Sequence, residues 1–379
     1  MLNRRLLRVK VIQYVYSYLV AEKSNFFLAE DYISEQFQSN YQTKNSTDKQ
    51  KLEEQKRIAL EAYYHVSGKK ECKISDFPDF ALTIGQKANE IEKNNNNKDK
   101  KMCIIYLQNE LENINFNYYV LLYFLIKLYD VIMNELERKY NFKSVVPTFF
   151  EKINQIDEIQ KIKNRSDWYE QTMEIVYTIY KQELLKNLDV LNFVKTSNRD
   201  LETDRTFFKM LYTEHLTKSA LLDAFMENLD LNWSYNKLII KDMVVKTIRK
   251  FSDDVKPEQF LVKPSMNWEE DKLFCIELLT KTLDTFDNYK SWVRHKLQNW
   301  DLERVALIDL SLIYTAIAEM IHFPSIPIKV TINEFVEISK NFVDSSNKNF
   351  INGILDMLAK DLENQKIILK SGRGLLDNR

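Results

Sequence analysis

The chain has 379 residues, 45% of them hydrophobic, which is enough for two or three domains with real cores. Lys+Arg number 54 against 55 Asp+Glu, a net charge of −1, which excludes a global pull toward nucleic acid or membrane and confines any basic site to a local patch. Only five Gly and six Pro occur, too few for sheets with their turns or for phosphate-cradling loops, so the expected fold class is all-α.

The opening "MLNRRLLRVKVIQYVYSYLVA" reads as a helix over residues 4–21 with its cations crowded into the first two turns. Arg4 and Arg8 share a face through i,i+4, Arg5 and Arg8 through i,i+3, and Lys10 follows before any acid. Cations at this end oppose the helix dipole, which points to an external anion such as phosphate; a solvated helix start is the plainer alternative. Gln13 and three tyrosines do not suit a signal peptide. "QSNYQTKNSTDKQ" then separates a helical run at about 50–66, and "KNNNNKDKK" reads as a second break before a long helix from Met102 to Tyr140. Two more helices are expected across 149–194. The most apolar run, "YYVLLYFLIKLYDVIM", is broken by Lys127 and Asp130 and is short for a membrane span, so no membrane partner is expected. Cys72, Cys103 and Cys275 lie far apart and suggest neither a disulfide framework nor a zinc site, as suits a cytoplasmic protein.

From 201 two stretches align without a gap. Asp204 falls on Asp271, Phe207 on Phe274, Leu211 on Leu278, Asn232-Trp233 on Asn299-Trp300 and Asp242 on Asp309. Either two amphipathic helices of similar composition match by chance, or an old duplication stacks one helical hairpin on its copy. Residues 301–322 are apolar almost all round, as in a central helix.

In "IPIKVTINEFVEISKNFVDSSNKNFINGILD", Thr331 and Glu334 have the spacing of a capping box, so a helix is expected to start near Ile332. A second amphipathic helix follows, and Gly353 in its middle suggests close approach of another backbone. The loop between them, Asp344 to Asn349, offers hydroxyls, amides and one Lys.

Catalytic chemistry is not indicated. The five glycines make no nucleotide-binding loop, His65, His215, His295 and His322 are isolated, and pairs such as Asp253-Asp254 sit where helices begin. No enzyme, catalytic residue, metal or cofactor is expected.

The basic first helix, the "NWDLERVALIDLSLIYTAIAEM" helix and the closing "IPIKVTINEFVEISKNF…NKNFINGILD", in that order, resemble the NusB family of bacterial transcription antitermination factors. The motif residues are Lys329 to Glu334 and Phe350 to Asp356, with Gln13 and Tyr16 at matching places in the first helix. The resemblance covers about residues 3–20 and 270–360. It implies a bundle of two three-helix subdomains and binding to boxA RNA of ribosomal RNA transcripts. It also implies pairing with NusE, a small-subunit ribosomal protein, in the RNA polymerase antitermination complex. By resemblance, Arg4, Arg5, Arg8 and Lys10, with Asn347, Lys348 and Asn349, fall on the RNA surface, and Glu303 and Arg304 on the partner surface. The expected organisation is 1–22 as first core helix, 23–267 as a helical insertion including the degenerate repeat 201–242, 268–363 as the rest of the core, and 364–379 as a polar tail. The competing reading is a helical protein-interaction scaffold without RNA binding.

Overall fold

The computed structural model describes residues 2–37, 46–68, 76–140, 147–195, 200–296, 305–340, 342 and 345–378. Among these the regular structure is helical, with no strand. The first helices are α1 (Arg4–Gln36), α2 (Ser46–Ser67), α3 (Asp79–Tyr140), α4 (Thr148–Asn154), α5 (Asp157–Lys163), α6 (Ser166–Ile179), α7 (Leu188–Lys195) and α8 (Leu201–Met210). They continue as α9 (Ala220–Leu229), α10 (Trp233–Lys250), α11 (Pro257–Phe260), α12 (Trp268–Asp284), α13 (Phe286–Lys296), α14 (Leu307–His322), α15 (Ile328–Ser339) and α16 (Ser345–Asn364). The chain divides into two compact units, one of Met1–Asn3 with Gln108–Lys272, the other of Arg4–Leu107 with Leu273–Arg379. The divisions fall at 3/4, just ahead of α1, and inside α3 and α12.

In the unit containing Arg4, α14 is the central helix expected from its all-round apolar sequence. It is buried from Asp309 to Met320 and packs against α1, α13, α15 and α16. Leu7, Val11, Val15 and Leu19 of α1 are buried at helical spacing, and full burial of each such side chain stabilises by about 1.5–3 kcal/mol. The helix runs on past residue 21 to Gln36 because Asn25, Ala29 and Ile33 continue the buried face onto α2.

The Asn run is not a break. Residues 93–101 lie inside α3, where Asn25 Nδ2 of α1 donates to Asn96 Oδ1 at 2.8 Å and Asp99 Oδ2 at 2.7 Å. Asparagine costs at most about 0.7 kcal/mol per residue against alanine in a helix, and tertiary hydrogen bonds of this kind offset it. Two further expectations are corrected. A Cβ on Gly353 would meet nothing within 4 Å, whereas one on Gly85 would lie 2.8 Å from the Tyr63 amide nitrogen, so the close helix approach is between α3 and α2. The segment 364–379, expected only as a polar tail, is held to the fold, because Ser371 N donates to Pro324 O at 3.0 Å and the adjoining short 3-10 segment packs on α15.

The other unit carries an aromatic core in which Phe149 stacks on Phe208 at 5.2 Å and meets Phe251 edge-on at 5.0 Å. Four short helices, α4 to α7, occupy 148–195 where two were expected. One-turn π segments, Tyr180–Leu184 and Leu211–His215, follow α6 and α8, and His215 Nδ1 lies 2.6 Å from Glu183 Oε2. As for the repeat, Leu201 at the start of α8 is matched to Trp268 at the start of α12, and Ala220 of α9 to Asp287 beside the first residue of α13. The matched stretches then part: α8 passes into a π segment where α12 stays regular to Asp284, and the Trp300 counterpart of Trp233 lies outside the described residues.

Candidate nucleic-acid interface

The arginines of α1 occupy two layers. Arg8 is in phase with Leu7, Val11, Ile12 and Val15 on the buried face, and it is only 3% exposed. Its guanidinium forms a fork with Glu319 of α14, Nε to Oε2 at 2.6 Å and Nη2 to Oε1 at 2.9 Å. Glu319 is fully buried and also accepts from Thr331 Oγ1 of α15 at 2.8 Å. Burying two charges is tolerable here because each is paired and hydrogen-bonded.

Thr331 is therefore not a helix cap. The spacing suggested a helix starting near Ile332, but α15 begins at Ile328 with Pro327 as its N-cap residue and no side-chain cap. The T-x-x-E spacing instead lets Thr331 reach Glu319 of α14 and Glu334 reach Arg5 of α1.

Arg5 forms the outer layer. It is exposed, and its Nε and Nη2 donate to Glu334 Oε2 and Oε1 at 2.9 and 2.8 Å. Arg8 Nη1 stands 3.8 Å from the same carboxylate. The Arg5 hydrogen bonds, followed by the charge of Arg8 and opposed by burial, hold Glu334 below the usual carboxylate range. Arg4 is half-buried with its guanidinium 5.1 Å from the Phe274 ring centroid, and Arg8 lies 5.5 Å from that ring. Lys10, expected at the surface, is 5% exposed.

On the motif loop, Lys348 and Asn349 are exposed in the first turn of α16. The backbone of Asn347 belongs to the same turn, and its side chain lies outside the described residues, as do Glu303 and Arg304. Glu337 of α15 links the two ends of the patch: its carboxyl is held low first by a hydrogen bond from Lys340, then by the charges of Lys348 and Arg5. Arg5, Lys340 and Lys348 thus all bear on Glu337, while Arg8 and Lys10 belong to the interior of this unit. Sequence reasoning missed Glu319, although a carboxylate inside an all-round apolar helix is itself a signal that a partner must come to it.

A comparison with protein families matches residues 236–360 to the NusB family. Similar curated proteins include the Transcription antitermination protein NusB of Chloroherpeton thalassium, 44% identical over 79 residues, or 21% of this chain and 37% of that protein. The protein of the same name from Oleidesulfovibrio alaskensis is 48% identical over 73 residues, 19% of this chain and 47% of that protein. That of Salinibacter ruber is 34% identical over 94 residues, 25% of this chain and 59% of that protein. In each case the match spans less than two thirds of the relative. No solved structure matches. The family match begins inside α10, earlier than the resemblance by motif alone. Residues 236–360 of this chain are a NusB-family domain.

Proposed function

We propose that the chain is a non-catalytic, RNA-binding transcription antitermination factor. It binds single-stranded boxA-type RNA of ribosomal RNA transcripts through the outer layer of α1 and the first turn of α16, with NusE as protein partner in the RNA polymerase antitermination complex. The observation that carries this reading is the exposed Arg5 of α1, held on Glu334 of the motif helix α15, together with the exposed Lys348 in the first turn of α16 just before the closing motif. Arg4, Arg5 and Lys348 supply phosphate contacts, and the amide of Asn349 supplies base contacts, a role Asn347 shares. Arg8 acts indirectly, fixing α1 against α14. The partner surface is placed around Glu303 and Arg304.

The test is a fluorescence-anisotropy titration of boxA and scrambled RNA across a salt series. Each neutralised phosphate contributes about −0.7 to the slope of log K against log salt on a single strand, so Arg4→Ala with Arg5→Ala flattens the slope by roughly 1.4. Equal affinity for both RNAs, unchanged in the double variant, would remove RNA from this surface. Co-purification with NusE, with and without RNA, checks the partner.

The scaffold reading draws on one observation, the pairing of Arg5 and Arg8 with internal carboxylates. It is favoured if NusE or another protein binds and RNA does not.

A further inference from the structure

We propose a second RNA-contacting face on α3, formed by Lys93, Asn94, Asn97, Lys98 and Lys101; this inference rests on the RNA-binding reading above. All five side chains are exposed on one side of the helix and make no hydrogen bond or ion pair among the described residues. Some other surface cations of the same unit do have carboxylate partners one helical turn away: Arg57 with Glu54 and Glu61, Lys87 with Glu90, Lys340 with Glu337. On this face Asn97 stands four residues from both Lys93 and Lys101 and Asn94 four from Lys98, and the one carboxylate a turn from any of the three, Glu90 at i−3 of Lys93, is paired with Lys87. Lys98 and Lys101 are moreover like charges at i,i+3, an arrangement that disfavours the isolated helix by a few tenths of a kcal/mol.

The opposite side of the segment is committed to the fold. Asp99, the one acid in the run, accepts from Asn25 of α1, and Lys100 Nζ lies 5.5 Å from the Tyr18 ring centroid. The segment is therefore a rigid helix rather than a linker, with cations and amides turned outward. The cations match a phosphate backbone, and the amides can donate to and accept from phosphates and base edges. That mixture favours a nucleic acid over a lipid surface, for which apolar side chains would alternate with the cations. At 1.5 Å per residue, the contact at Asn25 lies about 30 Å along α1 from Arg5, so the face would engage RNA flanking the element held at Arg5.

The experiment uses the full chain and its Lys93→Gln/Lys98→Gln/Lys101→Gln variant, with circular dichroism to verify that the helix content is kept. Anisotropy across a salt series is measured with a short boxA RNA and with the same RNA extended at both ends. The triple variant should bind the short RNA as the native chain does and flatten the salt slope on the extended RNA by about 2. Replacing Arg4 and Arg5 should weaken both RNAs. An unchanged slope on the extended RNA in the lysine variant overturns the α3 face and leaves the site on α1 standing. Loss in the lysine variant with no loss in the arginine variant supports the α3 face and removes RNA from α1. No binding of either RNA by the native chain, or lysine-dependent binding to phosphatidylserine vesicles instead of RNA, also overturns it.

Discussion

The first turns of α1 and the 93–101 segment of α3 are the two cation-rich stretches of one compact unit, and they treat their charges in opposite ways. In α1 two of the three arginines are matched carboxylate by carboxylate, Arg8 to buried Glu319 and Arg5 to half-buried Glu334. On α3 the outward lysines face asparagines and each other. A run of positive charge in a sequence is thus not yet a positive surface; what decides is where the counter-charges come from, and in α1 they come from residues more than 300 positions away.

The sharpest break in that comparison is at Glu319. Glu319→Ala should leave a buried guanidinium without its partner and destabilise the unit by about 3–5 kcal/mol, read as a lowered midpoint in urea denaturation. Arg8→Met combined with Glu319→Leu should recover most of that loss, because an apolar pair of similar volume removes both desolvated charges. No recovery in the double variant would mean that the pair stabilises beyond its own compensation.

Two glycines give the next effects, of opposite sign. Gly85→Ala forces a methyl group against the Tyr63 backbone and should cost about 1–3 kcal/mol by separating α2 from α3. Gly353→Ala meets open space in the middle of α16 and should stabilise by about 0.4–1 kcal/mol. Thermal unfolding of both variants checks the pair.

The smallest effect is in pH. Because Arg5 holds the Glu334 carboxyl low, the pair's contribution is fully present above the ordinary carboxylate range and is lost as pH falls through the lower folded value. The stability difference between the native chain and Glu334→Gln should therefore shrink on acidification, which paired denaturation curves along a pH series would show. A gap that stays constant to low pH would mean that Glu334 contributes through its hydrogen-bonding shape rather than its charge.

Much of this organisation was legible in the sequence. Scarce Gly and Pro gave the helical class, the all-round apolar run gave α14, and the closing motif marked the NusB-family domain. Arg8 was in phase with Leu7, Val11 and Val15, so its burial was visible in principle, but residue type outweighed phase. Thr331 and Glu334 were misassigned because a capping box and a polar pair reaching neighbouring helices have the same spacing, and only the tertiary partners tell them apart. The Asn run was misread for a related reason: weak helix propensity is a local cost, and the Asn25 contacts that offset it come from a different helix.

The most direct measurement is the salt dependence of single-stranded RNA binding for the native chain, Glu334→Gln and Arg5→Ala side by side. If Arg5 exchanges its internal carboxylate for phosphate, Glu334→Gln should bind RNA more tightly than the native chain, and Arg5→Ala should flatten the slope by about 0.7. Removing Glu334 in the Arg5→Ala background should then recover little of the lost affinity. Three indistinguishable slopes and affinities would contradict an RNA site at the outer arginine layer of α1.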